Sequence, residues 1–160
     1  MSALPAITSR DEFAAAVHWG VQTAAARGAR RLCITDPNFA DWPLDDPSLL
    51  DALTSWLRLP QRRLVMLAET YEDVVRFKPR FVAWRRHWVH VVEAWSPQDL
   101  PADLPTLLLD DGPVCVALAD RLRWRGRVSV GARDAQRWRE RVDALLQRSQ
   151  AAFPVSSLGL

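Results

Sequence analysis

The sequence predicts a single α/β domain in which helices flank a mixed, mostly parallel β-sheet. Over residues 31–95, three short apolar runs rich in β-branched residues alternate with two longer stretches of helical periodicity, which is typical of βαβ units. A chain of 160 residues, 49% of them hydrophobic, is also large enough for one well-filled core. We place the domain at residues 9–149, preceded by a flexible N-terminus at 1–8 and followed by a tail at 150–160.

The first predicted element is an amphipathic helix that begins after Ser9. Ser9 and Glu12 match a capping box, in which each side chain accepts a hydrogen bond from the backbone amide of the other residue. Phe13, Val17 and later apolar residues recur at helical spacing, and Gly28 is placed to end the helix. We expect the apolar face of this helix to pack on the sheet.

The alternating stretch itself supplies three strands and two helices. The strands are residues 31–35, 64–68 and 89–95. The first helix follows Asp46-Pro47, because an N-cap residue and a proline at the first helical position favour a helix start. The second helix contains Pro79, which removes a backbone hydrogen bond, so we expect a break near Lys78.

The last third of the chain predicts a hairpin, a basic strand and a helix. An Asp-Gly turn ending at Gly112 lies between two apolar runs, which is a hairpin signal. Residues 121–130 alternate basic and apolar side chains. A single strand would put four guanidinium groups on one face and an apolar row with Trp124 on the other. The final helix, 134–147, is expected to direct Trp138 inward.

Positive charge is concentrated near the C-terminal end, although the net charge is only +2. Residues 121–148 contain nine Arg and three acidic side chains, whereas residues 1–80 contain ten basic and ten acidic side chains. Guanidinium groups match the geometry of phosphates, and tryptophans can stack on the bases of a single strand. The alternative is a solvated surface in a protein with 20 Arg and one Lys. The candidate phosphate-binding residues are Arg121, Arg123, Arg125, Arg127 and Arg137.

Polar side chains at the ends of the first two strands form a second candidate site. Asp36 and Asn38 follow the first strand and Glu69 follows the second, and ligands of open parallel sheets bind at the carboxyl ends of strands. Together with Glu93, these carboxylates could hold a divalent cation or act as acid and base. The alternative is that they cap the following helices. We predict a pocket of Asp36, Asn38 and Glu69 without a metal, because no supporting histidine spacing occurs.

The sequence contains no pattern that indicates a disulfide framework, a catalytic nucleophile, a phosphate-binding loop or a membrane segment. Cys33 and Cys115 lie in apolar runs without the spacing of a disulfide framework, which favours a reducing compartment. No nucleophile elbow or phosphate-binding glycine loop occurs, so we predict no catalytic residue and no cofactor. The N-terminus does not resemble a signal peptide, and no apolar run approaches the roughly 18 residues of a membrane helix. We expect a cytoplasmic protein without a membrane partner.

Two segments, together with the order of elements over residues 9–148, resemble the uncharacterised phospholipase D-like domains of proteobacteria. The segments are RRLCITDPNF at 30–39 and RRLVMLAETYEDVVRFKPRFVAWRRHWVHVVEAW at 62–95. Some of these domains stand beside GNAT acetyltransferase domains. The resemblance implies a bacterial protein with the fold of one half of a phospholipase D, and a scaffold that pairs two halves, here as a homodimer.

The His-x-Lys-x4-Asp motif of active phospholipase D enzymes does not occur in this sequence. If the motif Asp is Asp111, its His and Lys positions hold Leu104 and Thr106, and a shift by one residue supplies neither group. We therefore predict a non-catalytic binding or regulatory module. One alternative is a protein that binds nucleic acid or a phosphate ligand through the C-terminal arginines. Another is an enzyme that acts on a phosphorylated substrate with the acids at the strand ends.

Overall fold

A computed structural model describes residues 4–154 and contains one seven-stranded sheet with helices on both faces. The helices are α1 (Arg10–Ala26), α2 (Pro47–Leu57), α3 (Glu72–Phe77), α4 (Pro79–Arg86) and α5 (Ala132–Gln147). The strands are β1 (Arg31–Thr35), β2 (Arg63–Leu67), β3 (Val92–Pro97), β4 (Thr106–Asp110), β5 (Val114–Asp120), β6 (Arg125–Val130) and β7 (Ser149–Ala151). Their order across the sheet is β6-β5-β4-β1-β2-β3-β7.

The single α/β domain and its mixed sheet are confirmed, but the prediction of a mostly parallel sheet is wrong. Only β1 with β2 and β2 with β3 pair in parallel, whereas the other four pairings are antiparallel. A further parallel strand would need a crossover of a dozen or more residues. After β3 the chain instead makes a short connection without a helix, so β4 returns antiparallel beside β1.

One face of the sheet is covered by α1, α2 and α4, which bury the larger apolar cluster. The Ser9 side chain accepts a hydrogen bond from the Glu12 amide and starts α1 as predicted. Gly20 lets α1 lie close to β4, because a Cβ there would be 2.9 Å from Leu108 Cδ2. The predicted break at Lys78 is confirmed, since α3 ends before it and α4 begins after it.

Among residues 4–154, α5 is the one helix that covers the other face of the sheet. Ala135 and Val142 of α5 pack on Cys33, Leu109 and Cys115 of the strands. The helix follows the edge strand β6 directly and precedes the opposite edge strand β7 directly. A single helix leaves part of a seven-stranded face uncovered, and the site described below lies where this helix meets strands β5 and β6.

The described chain packs on the domain beyond both predicted limits. Ile7 is buried and forms an isolated β-bridge with Gly126, so residue 7 packs against β6. At the other end, the Phe153 ring stacks on Tyr71 with centroids 5.0 Å apart, and the Arg85 guanidinium lies 3.9 Å from the Phe153 centroid. The rest of the predicted tail, 155–160, lies outside the described residues. No helix among residues 4–154 is long and apolar enough to cross a membrane.

Candidate nucleic-acid interface

The segment 121–130, predicted as one strand, consists of a turn at 121–124 followed by strand β6, and this changes where its arginines lie. Strand β5 continues to Asp120, the chain then turns, and β6 begins only at Arg125. The Asp120 carboxylate accepts hydrogen bonds from the Leu122 and Arg123 amides, at 3.0 and 3.1 Å, and Trp124 closes the turn with a φ of 55°. The turn interrupts the alternation, so the four predicted guanidinium groups do not share one strand face.

Arg125 and Arg127 of β6 point to the α5 side of the sheet. Arg127 pairs with Ala117 of β5, and paired residues of an antiparallel ladder share a face. Between these strands and α5 lies a groove of about 390 Å³. We call it the arginine groove. Its lining residues are Cys115, Ala117, Ala119, Arg125, Gly126, Arg127, Ser129, Asp134, Arg137 and Trp138.

Gly126 allows β6 to pair where it does. A Cβ at this position would lie 2.5 Å from the carbonyl oxygen of Ala117 and 3.1 Å from the Cα of Leu118. The register between β5 and β6 also shifts between Leu118 and Asp120, next to this contact. The glycine that interrupts the predicted apolar row is therefore what lets the two flanking arginines reach the groove side by side.

The arginine groove is positively charged, and most of that charge is accessible. Arg127 pairs with Asp134 at 3.3 Å while 77% of its side chain stays exposed. Arg125 and Arg137 are exposed, and neither makes an ion pair within residues 4–154. The Arg141 guanidinium lies 5.4 Å from the centroid of the half-buried Trp138 ring and adds charge beside the groove. Three guanidinium groups and an aromatic ring thus line one cavity with a single carboxylate.

Arg121 and Arg123 do not line the arginine groove. Arg123 is exposed in the turn. Arg121 points to the carboxyl end of β1, where its Nε donates to Thr106 Oγ1 at 2.7 Å and its Nη2 donates to the Leu104 carbonyl. There it lines a cavity of about 130 Å³, which we call the strand-end pocket. Its lining residues are Phe13, Asp36, Pro37, Asn38, Asp41, Trp42, Thr106, Leu118, Arg121 and Trp124.

The polar atoms of the strand-end pocket are largely bonded to one another. Buried Asp36 accepts hydrogen bonds from the Asn38 amide at 3.1 Å, the Phe39 amide at 2.8 Å and the Thr106 hydroxyl. The Asn38 side-chain oxygen accepts from the Ala40 amide at 2.9 Å. These bonds hold the loop after β1, as side-chain caps commonly do. The pocket therefore has few free groups for a ligand.

Glu69, the third residue predicted for this pocket, does not line it. Its carboxylate accepts a hydrogen bond from the Ala102 amide at 3.1 Å. Glu93 binds Arg63 at 2.6 Å and accepts from the Trp95 indole at 2.9 Å. The acids that the sequence placed together are thus each occupied in separate contacts. Within residues 4–154, no group of three or more His, Cys, Asp or Glu side chains could hold a metal ion.

A third cavity, of about 750 Å³, lies beside α3 at the far end of the sheet. Its charged lining residues are Glu72, Asp73 and Arg76, so acids exceed bases. An anionic ligand is therefore better matched by the arginine groove. Cys115 lies at the floor of that groove, where burial raises the pKa of its thiol to about 11, so the thiol is a poor nucleophile at neutral pH.

Sequence reasoning did not find the part that Trp138 plays in the groove. Helical periodicity assigned this ring to the core, but it is only half-buried and lines the groove. A signal was present in β5, where Cys115, Ala117 and Ala119 are small on the face that α5 covers. Small side chains beneath a helix leave space.

No protein-family model matches this chain, and no curated protein matches it. Among solved structures, the fold is similar to that of TrmBL2, an archaeal chromatin protein whose structure shows a novel mode of DNA binding. The TM-score is 0.63 at 10% sequence identity, and the match covers 95% of this chain. It covers 56% of the TrmBL2 chain, so this chain spans little more than half the length of that protein. The likeness shows the fold alone.

Proposed function

We propose that this protein binds nucleic acid through the arginine groove. The observation that carries the proposal is the convergence of Arg125, Arg127 and Arg137 with Trp138 on one cavity of about 390 Å³. Guanidinium groups bind phosphates in a forked geometry, and an indole ring offers a stacking surface for a base. TrmBL2, which has a similar fold, is a chromatin protein with a novel mode of DNA binding, and this favours the same class of ligand.

The enzyme alternative is less well supported by the geometry. It requires the arginines and the strand-end acids to share a pocket, and of the five candidate arginines only Arg121 lines the pocket that contains Asp36. Both of these residues already make internal hydrogen bonds, and the cavity of about 130 Å³ lies below the roughly 300–1,000 Å³ of most ligand pockets. The phospholipase D-like module and the homodimer stay predictions.

The test is the binding of a fluorescent single-stranded oligonucleotide of about 12 nucleotides, followed by anisotropy. With three or four phosphate contacts, the affinity should fall about 20- to 50-fold between about 50 and 200 mM salt. Charge reversal of Arg125→Glu with Arg137→Glu should weaken binding at low salt by at least about 30-fold and flatten the salt dependence, because two contacts are lost and two repulsions are added.

The matched control reverses two exposed arginines of the opposite layer, Arg58→Glu with Arg86→Glu. It changes the net charge by the same amount, so affinity should fall much less than in the groove variant. Equal losses in the two variants would show that binding follows total charge and would contradict a site in the groove. Absence of binding by the native protein at about 50 mM salt would contradict the proposed function itself.

A further inference from the structure

The arginine groove has a floor that is shaped differently from the rest of the sheet. Strand β5 alternates between two faces, and on the α1 side it carries the larger side chains Val114, Val116 and Leu118. On the α5 side the positions in between hold small residues. These small residues are Cys115, Ala117 and Ala119. The space in the groove therefore results from the size of the side chains, and it is present on one face only.

Around this floor, Trp138 offers an aromatic surface and the arginines offer cationic groups. Trp138 of α5 forms an aromatic side of the groove, whereas Arg125 and Arg127 lie along β6 and Arg137 lies on the helix. The volume of about 390 Å³ falls within the range of roughly 300–1,000 Å³ that small-molecule sites occupy. A flat apolar body bearing a phosphate is the shape that these contacts match.

We infer that the arginine groove accepts an unpaired nucleobase, which stacks on Trp138 above Ala117 and Ala119 while Arg125, Arg127 and Arg137 bind the adjoining phosphates. This inference rests on the proposed function, and it makes the ligand a single strand. In a duplex the bases are stacked and paired, so none can enter a cavity between a sheet and a helix without being extruded, at a cost of a few kcal/mol. A single strand presents its bases without that cost.

The experiment compares three labelled probes on the intact protein at about 50 mM salt: a thymidine 12-mer, an abasic 12-mer with the same phosphates, and a duplex of the same length. Stacking of one base on an aromatic ring should make the thymidine 12-mer bind about tenfold more tightly than the abasic strand. The duplex, whose bases cannot enter the groove without extrusion, should bind less tightly than the thymidine 12-mer. The abasic strand isolates the contribution of the phosphates, on which the proposed function alone depends.

Ala119→Leu fills the floor of the groove without removing a charge. Ala119 is exposed, so the fold should tolerate leucine, which the thermal melting temperature verifies. We expect the thymidine and abasic strands to bind this variant equally, at the affinity that the abasic strand has for the native protein. Ala144→Leu is the matched control, because Ala144 is exposed on α5 and does not line the groove, and it should keep the tenfold difference.

The outcomes separate the inference from the proposed function. Equal binding of the thymidine and abasic strands to the native protein would overturn the base site but leave phosphate binding. Binding of the duplex as tight as that of the single strand would also overturn it. Loss of abasic-strand binding in Ala119→Leu would show that leucine blocks phosphates instead of a base. No binding of any probe would contradict the proposed function as well.

Discussion

The strand-end pocket and the arginine groove both contain arginine, carboxylate and tryptophan, yet they use their arginines in opposite ways. In the strand-end pocket, Arg121 donates to Thr106 and to the Leu104 carbonyl, and Thr106 donates to Asp36. In the arginine groove, Arg125 and Arg137 are exposed and make no ion pair within residues 4–154, and Arg127 shares its charge with Asp134 alone.

The difference shows that an arginine-rich segment is not one functional unit. Arg121, Arg125 and Arg127 are close in sequence, but the turn at Arg121–Trp124 sends the first to one end of the sheet and the others to the α5 face. An arginine with several internal acceptors stabilises the fold, whereas one without them is free to meet a phosphate. The following experiments separate these two groups.

The largest effect on stability should come from Asp36→Ala in the strand-end pocket. Alanine removes the acceptor of two backbone amides and of the Thr106 hydroxyl, and burial prevents water from replacing it fully. We expect a loss of about 3 kcal/mol in the free energy of unfolding, measured by urea denaturation. Asp41→Ala is the control, because Asp41 is exposed and pairs only with Arg10, at 3.3 Å. Oligonucleotide affinity should not change in either variant.

Arg121→Met should also lower the free energy of unfolding, but by less than Asp36→Ala. Methionine keeps much of the apolar stem but loses the hydrogen bonds to Thr106 and Leu104, which should cost about 1–2 kcal/mol of stability. Affinity for a single-stranded oligonucleotide should stay within about twofold of the native value, since Arg121 lies outside the groove. Arg123 is exposed like Arg121 but its side chain makes no hydrogen bond within residues 4–154, so Arg123→Met should leave stability unchanged. A tenfold loss of affinity in Arg121→Met would assign the strand-end pocket to the binding surface.

Asp134→Asn should increase the affinity of the groove for a single-stranded oligonucleotide. The substitution frees Arg127 from its ion pair and removes the one carboxylate that lines the groove, so affinity should rise about two- to fivefold at low salt. Stability should change by less than about 1 kcal/mol, because an ion pair in which 77% of the Arg127 side chain is exposed contributes little. Weaker oligonucleotide binding in this variant would show that Asp134 positions Arg127 instead of competing for it.

The chemical reactivity of the cysteines should report whether the groove is accessible, and this measurement requires no substitution that alters stability or oligonucleotide affinity. Burial raises the pKa of Cys115 to about 11 and that of Cys33 to about 12, so both remain thiols near neutral pH. Alkylation by iodoacetamide requires the thiolate and should rise about tenfold per pH unit between about pH 7 and 9. Mass spectrometry should find Cys115 modified first, since it lines the groove, and a bound oligonucleotide should slow it. Faster modification of Cys33, which does not line the groove, would contradict access of the reagent through the groove.

Local patterns in the sequence predicted most elements because their causes are local. The alternation over 31–95, the helix break before Pro79 and the hairpin at Gly112 each depend on a few neighbouring residues, and each is present. The position of β4 beside β1 depends instead on how a connection without a helix crosses the sheet. No periodicity within the strand encodes this position, so the prediction of a mostly parallel sheet was wrong.

The sequence predicted which residues are candidates for the sites, but not which of them lie together in space. Arg125, Arg127 and Arg137 converge because a hairpin and a helix meet across β5, which is a property of tertiary packing. The turn was the decisive detail, since the alternation of residues 121–130 favours one strand and the bonds from Asp120 override it. Likewise, Glu69 follows its strand as predicted, but its carboxylate accepts a hydrogen bond from the Ala102 amide and does not line the pocket that contains Asp36.

The covalent path through α5 has a mechanical consequence for the whole sheet. The 16 residues of α5 extend about 24 Å. This is comparable to the width of about 29 Å that seven strands span. Because α5 connects the outermost strands β6 and β7 directly, one helix links the two edges of the sheet along the chain. Amides of β6, α5 and β7 should therefore exchange with deuterium as one cooperative unit, although the two strands lie at opposite edges.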